Sequence, residues 1–477
     1  MRACFRHKQI KKFTYSTTEK EKTMRGHYHF IGIGGIGMSG LARILLQQNL
    51  SVSGSDIAFN YTIEELIKSG ATIYKGHSPS YITSGSTVIY SSDIKTDNPE
   101  YLAAKNLQCF LLHRAELLAL LTRQKKSLAV TGTHGKTTTS SLLATTFLEA
   151  NCDPSFAVGG VIPQFQSNAK HGLGDLFIFE ADESDRSFLK YFPYGAIVTN
   201  IDNDHLNSYE NSEDVLIQSF QQFTSQISSP NHLFWCGDDT RLKFLNGIGQ
   251  SYGFGEYCNW KISNIFQKDF NLEFDLEGNG KKYSSIKLNL IGRHNLLNGA
   301  AVFGLAMSLN ISEASIRHTF ERFCGVLRRC EYKGEFENII FLDDYAHHPT
   351  EIQTTLEGIR KAIKSKRLIA VFQPHRFSRI KDCLGMYGKI FNNADEVFVT
   401  DVYGAGETPI EGISQQQIIQ EISENSSVPV KYVPRTALGH QLSEFIQPLD
   451  VIVTLGAGDV TKVASETLNL LENGKRF

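Results

Sequence analysis

The chain has 477 residues, of which 41% are hydrophobic and 21% are charged, and its formal net charge is −2. This length suits roughly three domains of ~150 residues each, and the near-neutral charge argues against a nucleic-acid binder held by bulk electrostatics. The eight cysteines are scattered without a Cys-x-x-Cys pair, so we expect neither a zinc site nor a disulfide framework, and a cytoplasmic location is the default.

The first 23 residues are basic and polar, and they lack the apolar stretch of a secretory signal. We expect this tail to be disordered and Met24, which precedes the first strand, to be the natural start. No apolar run approaches the ~18 residues of a membrane span, so the sequence predicts no membrane partner.

The first ordered segment, residues 27–45, is an apolar strand that enters a glycine-rich turn and then an amphipathic helix. Gly34, Gly35 and Gly37 allow backbone N–H groups to surround a diphosphate. The second strand is predicted at 50–53, and Asp56 follows it about 20 residues past the glycines, where a dinucleotide-binding fold places its ribose carboxylate. Ser92 follows a further strand at 87–90. The pattern is compatible with NAD, but any turn that binds a diphosphate needs the same backbone.

Residues 127–142 read SLAVTGTHGKTTTSSL and predict a phosphate-binding loop. An apolar strand enters a turn with Gly132 and Gly135, and the N-terminus of the following helix adds partial positive charge. Lys136 would reach the β- and γ-phosphates of a nucleotide, and Thr137 would hold Mg²⁺. The common pattern requires glycine where this chain has Val130, so a shorter variant applies. The alternative interpretation is a Gly/Thr-rich turn without a ligand.

Two buried-strand patterns, at 175–180 and 196–200, are followed by polar residues. A carboxylate at the end of a strand beside a phosphate loop commonly holds Mg²⁺, which prefers oxygen ligands. We predict Glu180 as a ligand of one metal and His205 as a ligand of a second. The alternatives are a solvated acidic loop for Glu183 and Asp185, and a capping or core histidine for His205.

The segment 288–301 passes from a strand into a helix, and His294, Asn295 and Asn298 cluster at the helix start. The two amides share a helix face. They could cap the helix, or they could bind the edge of an adenine, because an amide both donates and accepts hydrogen bonds. After Gly325, the pair Arg328-Arg329 lies on a loop and a new α/β alternation begins.

The last third of the chain contains four strands, at 339–342, 368–372, 396–400 and 451–455, and polar residues follow each of them. This arrangement predicts one ligand-binding edge of a parallel sheet. Arg376 and Arg379 follow the second of these strands and suit bidentate recognition of a carboxylate or phosphate. The whole chain therefore has the pattern of an α/β protein.

Eight motifs occur in one order along the chain: GIGGIGMSG, GTHGKTTT, EADESD, TNIDNDH, GRHNLLN, DDYAHHPTE, FQPHR and GAGD. From His27 onward the chain resembles the ATP-dependent Mur ligases. The resemblance implies a Rossmann-like N-terminal domain at 24–124 that binds a UDP-linked substrate. It also implies a central P-loop ATPase-type domain at 125–326 and a C-terminal Rossmann-like α/β domain at 327–477 that binds an amino acid.

The resemblance also implies a role for individual residues. The UDP diphosphate would lie against Gly34, Gly35, Gly37, Met38 and Ser39. The nucleotide sugar would lie near Asp56, His77 and Ser92. ATP would be held by Gly132, Thr133, His134, Gly135, Lys136, Thr137 and Thr138. The metal ligands would be Thr137, Glu180 and His205. The adenine would lie against His294, Asn295 and Asn298. The γ-phosphate would be approached by Arg329 and the ATP ribose by Asp344. The amino-acid and muramoyl end would be formed by Tyr345, His347, Arg376 and Arg379.

The activity implied is ligation of L-alanine to the carboxylate of UDP-N-acetylmuramate, in peptidoglycan precursor synthesis, with ATP and Mg²⁺ and through an acyl phosphate. His347 would be the base near the amine, and the protein would be a cytoplasmic monomer or weak homodimer. The chain departs from the family pattern at Asp202-Asn203, Asn207 and Ala346. It offers no lysine for the carbamylated lysine that some Mur ligases carry near the metals.

Three other functions remain open on the sequence alone. A recycling ligase of the same fold would attach a whole peptide to UDP-N-acetylmuramate, although the glycine turn favours the biosynthetic activity. A nicotinamide-dependent oxidoreductase fits the glycine turn and Asp56 but leaves the phosphate loop unexplained. A nucleotide-gated binding module would not explain the polar residues that follow the four strands in the last third of the chain.

Overall fold

The structure is a computed structural model that describes residues 26–474. The predicted basic tail at 1–23 and the predicted start at Met24 lie outside these residues. The described residues divide into two compact units, with the boundary between Leu118 and Ala119. Among the described residues, none of the helices is long and apolar enough to cross a membrane.

The N-terminal unit contains a five-stranded parallel sheet with the order β3-β2-β1-β4-β5. Its strands are β1 (His27–Ile31), β2 (Ser51–Asp56), β3 (Thr72–Lys75), β4 (Thr87–Tyr90) and β5 (Phe110–His113). Its helices are α1 (Ile36–Gln47), α2 (Tyr61–Lys68) and α3 (Pro99–Asn106), and α4 (Arg114–Thr122) leads into the second unit. The strand order reverses between β1 and β4, and ligands of open α/β sheets bind at such a switch point. The glycine turn follows β1 and Ser92 follows β4, so both lie at this switch point.

The second unit begins with a ten-stranded sheet of order β15-β14-β13-β12-β11-β10-β6-β9-β7-β8. Its strands are β6 (Lys126–Thr131), β7 (Ser155–Ile162), β8 (Ser167–Lys170), β9 (Leu176–Glu180), β10 (Gly195–Val198), β11 (Leu233–Cys236), β12 (Gln250–Gly253), β13 (Trp260–Lys268), β14 (Asn271–Gly278) and β15 (Lys281–Leu288). Its helices are α5 (Lys136–Glu149), α6 (Glu213–Ser225), α7 (Arg293–Ser308) and α8 (Glu313–Arg322). The strand before the phosphate loop, β6, lies between β10 and β9 and is parallel to both. The segments that follow these three strands therefore meet at one edge.

A six-stranded sheet completes the second unit, with the order β16-β17-β21-β18-β19-β20. Its strands are β16 (Glu331–Phe336), β17 (Ile339–Asp344), β18 (Leu368–Phe372), β19 (Glu396–Val399), β20 (Val430–Tyr432) and β21 (Val451–Leu455). Its helices are α9 (Pro349–Ile363), α10 (Phe377–Asp382), α11 (Gln415–Asn425), α12 (Leu438–Phe445) and α13 (Val463–Gly474). The four strands predicted from the last third, β17, β21, β18 and β19, are adjacent and parallel. The predicted common edge is therefore confirmed.

The α/β class and the strands predicted at 87–90, 368–372 and 451–455 are confirmed. The second strand, predicted at 50–53, instead extends to Asp56, because Ser53–Asp56 pairs with β3 as well as with β1. The three sheets lie inside the three predicted domain ranges, but the boundaries at 124 and 326 stay a prediction, since the two compact units divide only once, after Leu118.

Candidate active site

The turn between β6 and α5 has the backbone of a phosphate loop. Gly132 and Gly135 have φ angles of +127° and +82°, which side chains with a Cβ rarely adopt. A Cβ on Gly132 would lie 2.2 Å from the Thr199 hydroxyl oxygen, so this position also has no room for a side chain. Helix α5 begins directly at Lys136, and its first N–H groups face the turn.

Two residues after β10 hold the loop in this shape. The Thr199 hydroxyl donates to the carbonyl of His134 at 2.6 Å, and the Asn200 amide donates to the same carbonyl at 2.9 Å. The His134 N–H in turn donates to the Asn200 side-chain oxygen at 2.9 Å. These hydrogen bonds fix the backbone of the loop in one shape. A fixed loop argues against the alternative interpretation of a Gly/Thr-rich turn without a ligand.

Lys136 is held by a buried acidic partner. Its ammonium lies 2.8 Å from a carboxylate oxygen of Glu183 and donates to the carbonyl of Gly132 at 2.7 Å. Burial acts to lower the pKa of Lys136, but the charges of Glu183, Asp182 and Glu180, together with the hydrogen bond to Glu183, outweigh burial and raise the pKa above its ordinary value. Glu183 is only 3% exposed, and burial raises its pKa to about 7. The interpretation of Glu183 as part of a solvated acidic loop is therefore wrong, because its carboxylate faces inward to Lys136.

Thr137 and Glu180 form a compact set of oxygen donors beside the loop. The Thr137 hydroxyl donates to Glu180 at 3.1 Å, and the backbone N–H of Gly159 donates to the other Glu180 oxygen at 2.8 Å. A Cβ on Gly159 would lie 2.6 Å from that carboxylate and 2.8 Å from the Thr137 hydroxyl, so only glycine leaves this space open. A hydroxyl and a carboxylate at the phosphate loop are the donors that Mg²⁺ accepts.

His205 lies in a left-handed backbone conformation, with φ of 57°, in the segment after β10. Its Nε2 is 3.4 Å from the Asp204 carboxylate, and burial lowers its pKa. A neutral imidazole is the form that binds a metal. His205 lies on a loop, so it is not a core residue. Its side chain does not cap the short helix that follows it. Its role as a metal ligand stays a prediction.

His134 is enclosed by two carboxylates that the sequence analysis did not assign to the site. Its Nε2 lies 3.0 Å from Asp202, and its Nδ1 lies 3.3 Å from Glu351 on the first turn of α9. Burial acts to lower the pKa of His134, but hydrogen bonds to these carboxylates outweigh it and raise the pKa to about 9. His134 is therefore a cation that connects the phosphate loop to the C-terminal sheet domain.

Among the described residues, one group of three side chains could hold a metal ion by geometry: His134, Asp202 and His348. The group shares no member with the predicted ligands Thr137, Glu180 and His205. Because His134 Nε2 already contacts the Asp202 carboxylate directly at 3.0 Å, we interpret this group as an ion pair.

A cavity of about 880 Å³ opens beside the loop. This volume is in the usual range for a small-molecule site. Its lining includes eight of the residues predicted for the nucleotide: His134, Gly135, Thr138, His294, Asn295, Asn298, Arg329 and Asp344. The phosphate loop, the start of α7 and the C-terminal sheet domain thus meet at one cavity.

The start of α7 is arranged for a ligand. Its N-cap is Gly292 and no side chain caps it, so the interpretation of the asparagines as caps is wrong. The Asn298 amide donates to the side-chain oxygen of Asn295 at 3.0 Å, and the Asn295 amide donates to the carbonyl of Ile291 at 2.8 Å. Burial lowers the pKa of His294 to about 4, and its Nδ1 is buried without a partner. These amides and a neutral imidazole suit a neutral heterocycle.

The two arginines of the predicted basic pair have different positions. The Arg328 guanidinium donates to the carbonyls of Gly456, Ala457 and Gly458, which follow β21. Arg329 lines the cavity. Among the described residues, its guanidinium contacts the ring of Tyr345, at 5.3 Å from the ring centre. Arg328 therefore fixes a loop, whereas Arg329 remains available to a ligand.

Asp344 ends β17 at the wall of the cavity. Its two oxygens accept the backbone N–H groups of Cys330 and Ala346 at 2.7 and 2.8 Å. Burial raises its pKa to about 6. A carboxylate fixed in this way retains lone pairs that can accept ribose hydroxyl groups.

The predicted amino-acid end lies at the carboxyl ends of β17 and β18. The rings of His347 and His375 are 5.7 Å apart, and Arg379 donates to His375 Nδ1 at 3.3 Å. Burial lowers the pKa of His347 to about 4, and its Nδ1 donates to the carbonyl of Tyr345 at 2.9 Å. Arg376 is exposed and has a φ of 65°. A ring with so low a pKa is a weak base, and the role of His347 as the base stays a prediction.

The N-terminal unit contains the remaining predicted residues. The Gly34 N–H donates to Asp56 at 2.9 Å, so the strand-end carboxylate supports the glycine turn. His77 Nδ1 lies 2.9 Å from Glu100, and the Ser92 hydroxyl lies 3.1 Å from His113 Nε2. Gly35, Gly37, Met38 and Ser39 complete the turn and the first turn of α1.

Three acidic residues of the site, Glu183, Asp202 and Glu351, were not identified from the sequence. A signal existed for Glu351: His348, Pro349 and Glu351 have the spacing of a helix start with proline at N1 and an acid at N3. No local signal distinguishes Glu183 from its neighbours Asp182 and Asp185.

The chain belongs to the Mur ligase family. Three family models match it: the Mur ligase family catalytic domain at residues 27–126, the Mur ligase middle domain at 130–306, and the Mur ligase glutamate ligase domain at 328–458. Mur ligases are ATP-dependent ligases, and the nicotinamide interpretation of the glycine turn is therefore wrong.

Individual relatives are consistent with this assignment. The chain is 97% identical over 454 residues to the UDP-N-acetylmuramate–L-alanine ligase of Protochlamydia amoebophila (strain UWE25), which covers 95% of this chain and 100% of that protein. The UDP-N-acetylmuramate-alanine ligase of Thermotoga maritima has a similar structure, with a TM-score of 0.82, 28% identity and coverage of 94% and 99% of the two chains. A murein peptide ligase of Psychrobacter arcticus has the same fold, with a TM-score of 0.69, 22% identity and the same coverage.

Proposed function

We propose that this protein joins L-alanine to the carboxylate of UDP-N-acetylmuramate and converts ATP to ADP and phosphate, as a step of peptidoglycan precursor synthesis. The observation that carries the proposal is the 97% identity, over the whole length of the relative, to a protein named for this reaction. The cavity beside the phosphate loop independently supports the ATP half of the reaction.

ATP occupies the cavity in one orientation. The adenine lies against the amides of Asn295 and Asn298, the ribose hydroxyls bind Asp344, and the phosphates lie on the loop from Gly132 to Thr138. The support for this orientation is the chemistry of the lining, which combines His134, Gly135 and Thr138 of the loop with the two amides and the Asp344 carboxylate.

The first chemical step transfers the γ-phosphoryl group to the carboxylate of UDP-N-acetylmuramate, and it forms an acyl phosphate and ADP. Lys136 and Arg329 stabilise the charge on the transferring group. Thr137 and Glu180 would hold Mg²⁺, with His205 for a second ion, and bound Mg²⁺ would neutralise phosphate charge and orient the phosphate oxygens.

In the second step the amino group of L-alanine attacks the acyl carbon, the amide bond forms and phosphate leaves. Arg376 and Arg379 bind the carboxylates at this end of the site, and His347 accepts the proton of the amine once nearby substrate charges raise its pKa. The acyl phosphate must be shielded from water, because exposure would hydrolyse it.

The remaining parts of the proposal concern the cellular location, the partners and the oligomeric state of the enzyme. The enzyme acts in the cytoplasm, requires no nucleic acid or membrane partner, and is a monomer or weak homodimer. Sedimentation at micromolar concentration would test the last point, and a stable tetramer would contradict it.

The decisive experiment is phosphate release with UDP-N-acetylmuramate, ATP and Mg²⁺ in the presence of different amine substrates. We expect L-alanine to be the best substrate and glycine to be poor but detectable, since one missing methyl group is worth about 1–3 kcal/mol. A recycling ligase would instead prefer a tripeptide that begins L-alanyl-D-glutamyl. A preference for that tripeptide would overturn the choice of substrate and leave the ATP site unaffected.

A further inference from the structure

A fully buried carboxylate lies in the N-terminal unit, on the first turn of α3. Glu100 is 0% exposed, and both of its oxygens are saturated. One oxygen is 2.7 Å from His29 Nε2 and accepts the Ser55 hydroxyl at 2.8 Å. The other is 2.9 Å from His77 Nδ1 and accepts the backbone N–H of Ser78 at 3.2 Å. Four donors to one carboxylate explain how the charge is tolerated without water.

The network continues along one face of the sheet. His29 Nδ1 is 2.7 Å from the Ser53 hydroxyl, which also contacts His27 Nε2 at 2.7 Å, and His27 Nδ1 contacts Ser51 at 2.8 Å. Side chains two residues apart share a face of a strand, so β1 and β2 contribute alternate polar residues to one layer, which is buried at His29 and Ser53 and reaches the surface at Ser51. Well-packed apolar residues would stabilise such a layer at least as well as a buried ionic network. Stability alone therefore does not account for these polar residues.

The network reaches the ligand-binding edge of the sheet at one residue. The His77 side chain is 19% exposed, whereas His29 and Glu100 are 0% exposed. His77 follows Gly76 after β3, and Glu100 and Ser55 occupy its Nδ1. Among the described residues, His77 Nε2 has no hydrogen-bond partner. Because Glu100 and Ser55 contact Nδ1, Nε2 is the ring nitrogen of His77 that remains available to a ligand.

The last two residues of β2 connect this network to the glycine turn. The carbonyl of Ser55 accepts the N–H groups of Gly32 and Ile33 at 2.8 and 3.0 Å. Asp56 accepts the Gly34 N–H through its side chain at 2.9 Å and the Gly76 N–H through its carbonyl at 2.7 Å. The glycine turn and the loop that contains His77 are thus fixed to the same two residues.

We infer that Glu100 is a positioning residue for the nucleotide part of the substrate. It fixes His77 in the tautomer with hydrogen on Nδ1 and directs Nε2, as an acceptor, to a hydroxyl group of the uridine nucleotide. The inference deepens the proposed function and rests on it, because it requires that the glycine turn and His77 belong to the site of a UDP-linked substrate. Glu100 itself does not touch the substrate.

The test is the variant Glu100→Gln, which keeps the shape of the side chain and removes its charge. The amide nitrogen then replaces one oxygen and faces the two donors that this oxygen accepted, so the hydrogen bonds that fix His77 are weakened. We expect KM for UDP-N-acetylmuramate to rise about 2- to 10-fold, the effect of losing one hydrogen bond between neutral groups, here His77 and a substrate hydroxyl. The values of kcat and of KM for ATP and L-alanine should stay within about twofold, because the ATP half of the reaction is unaffected.

A double-mutant cycle with His77→Ala shows whether Glu100 acts through His77. We expect Glu100→Gln to leave KM unchanged when it is added to His77→Ala. Additive effects, or an unchanged KM in the single variant, would overturn the inference. The matched control is Ser53→Ala, which removes the next hydroxyl of the network and leaves the contacts of Glu100 with His77 intact. If Ser53→Ala raises KM as much as Glu100→Gln does, the network has a purely structural role and the inference fails.

Two measurements keep the result interpretable. Calorimetric titration with UDP alone reports nucleotide binding independently of turnover, and we expect UDP to bind Glu100→Gln about 2- to 10-fold more weakly than wild type. If Glu100→Gln does not fold, Ser55→Ala removes one donor and should raise KM by about threefold or more. Wild-type protein that does not use UDP-N-acetylmuramate would contradict the proposed function, whereas active wild type with an unaffected variant contradicts only the role of Glu100.

Discussion

Replacing Lys136 by methionine should separate its role in catalysis from its role in the fold. Lys136 lies 2.8 Å from Glu183, and their side chains are 15% and 4% exposed. The variant therefore leaves a carboxylate without its partner in the interior. Breaking a buried ion pair in this way typically destabilises a protein by about 3–5 kcal/mol.

The effect should depend on pH because Glu183 can take up a proton. The pKa of Glu183 is about 7 in the folded protein against an ordinary value of 4.5, a gap that amounts to about 3 kcal/mol. A carboxyl group with a raised pKa favours the folded state below pH 4.5, and this contribution is lost as pH rises through 7. Without Lys136 the pKa rises further, so stability continues to fall above pH 7 by about 1.4 kcal/mol per pH unit.

Urea denaturation at pH 6 and pH 8 measures this difference. We expect Lys136→Met to lose about 1 kcal/mol at pH 6 and about 1.4 kcal/mol more than that at pH 8. The double variant Lys136→Met/Glu183→Gln should regain most of the loss at pH 8. Turnover should be abolished in both variants, because the transferring phosphoryl group loses its compensating charge.

The control is Lys170→Met, which removes a half-exposed pair with Asp153 on the same sheet and should change stability by about 1 kcal/mol or less at both pH values. Equal stability of Lys136→Met and wild type at pH 8 would refute the role of Glu183. Near-normal turnover in either Lys136 variant would remove Lys136 from the mechanism.

Three further predictions concern the same unit. The pKa of His134 is raised to about 9, so its contribution to stability is complete below pH 6.5 and is lost as pH rises through 9. Wild type should lose about 3 kcal/mol across that window, and His134→Asn, followed by denaturation at each pH, should not. Arg329→Ala should lower ATP-dependent phosphate release about 100-fold without a change in melting temperature, whereas Arg328→Ala should lower the melting temperature, because three loop carbonyls lose their donor. Gly132→Ala should abolish nucleotide binding in a calorimetric titration, because its Cβ would lie 2.2 Å from Thr199; an unchanged affinity would contradict the loop geometry.

The phosphate loop could be predicted from the sequence because everything that defines it is local. An apolar strand, two glycines, Lys136 and a helix start occupy consecutive residues, and each has one physical reason to be there. The common position of the polar residues that follow β17 and β18 was also predictable. Parallel strands bring their carboxyl ends to one edge of the sheet.

The acidic partners of the loop were not predictable, because their role depends on contacts between distant segments. His134 and Glu351 are 217 residues apart in the chain. Glu183 and Asp185 have the same local sequence character, and only the fold directs Glu183 toward Lys136. The antiparallel strands β13 to β15 were missed for a different reason. Their alternation and the Asn279-Gly280 turn are typical of a hairpin, but these strands carry no candidate catalytic or ligand-binding residues.

These contacts lower the net positive charge that the phosphate loop presents to a ligand. The phosphate loop presents two cationic side chains, and each is compensated by buried or half-buried carboxylates: Lys136 by Glu183, and His134 by Asp202 and Glu351. The loop therefore brings little net positive charge to a nucleotide that carries several negative charges. Backbone N–H groups, the N-terminus of α5 and Arg329 supply part of the compensation. The oxygen donors of Thr137 and Glu180 lie where a divalent cation would supply the rest, which explains why an acidic side chain belongs at the end of β9 in a site for an anion.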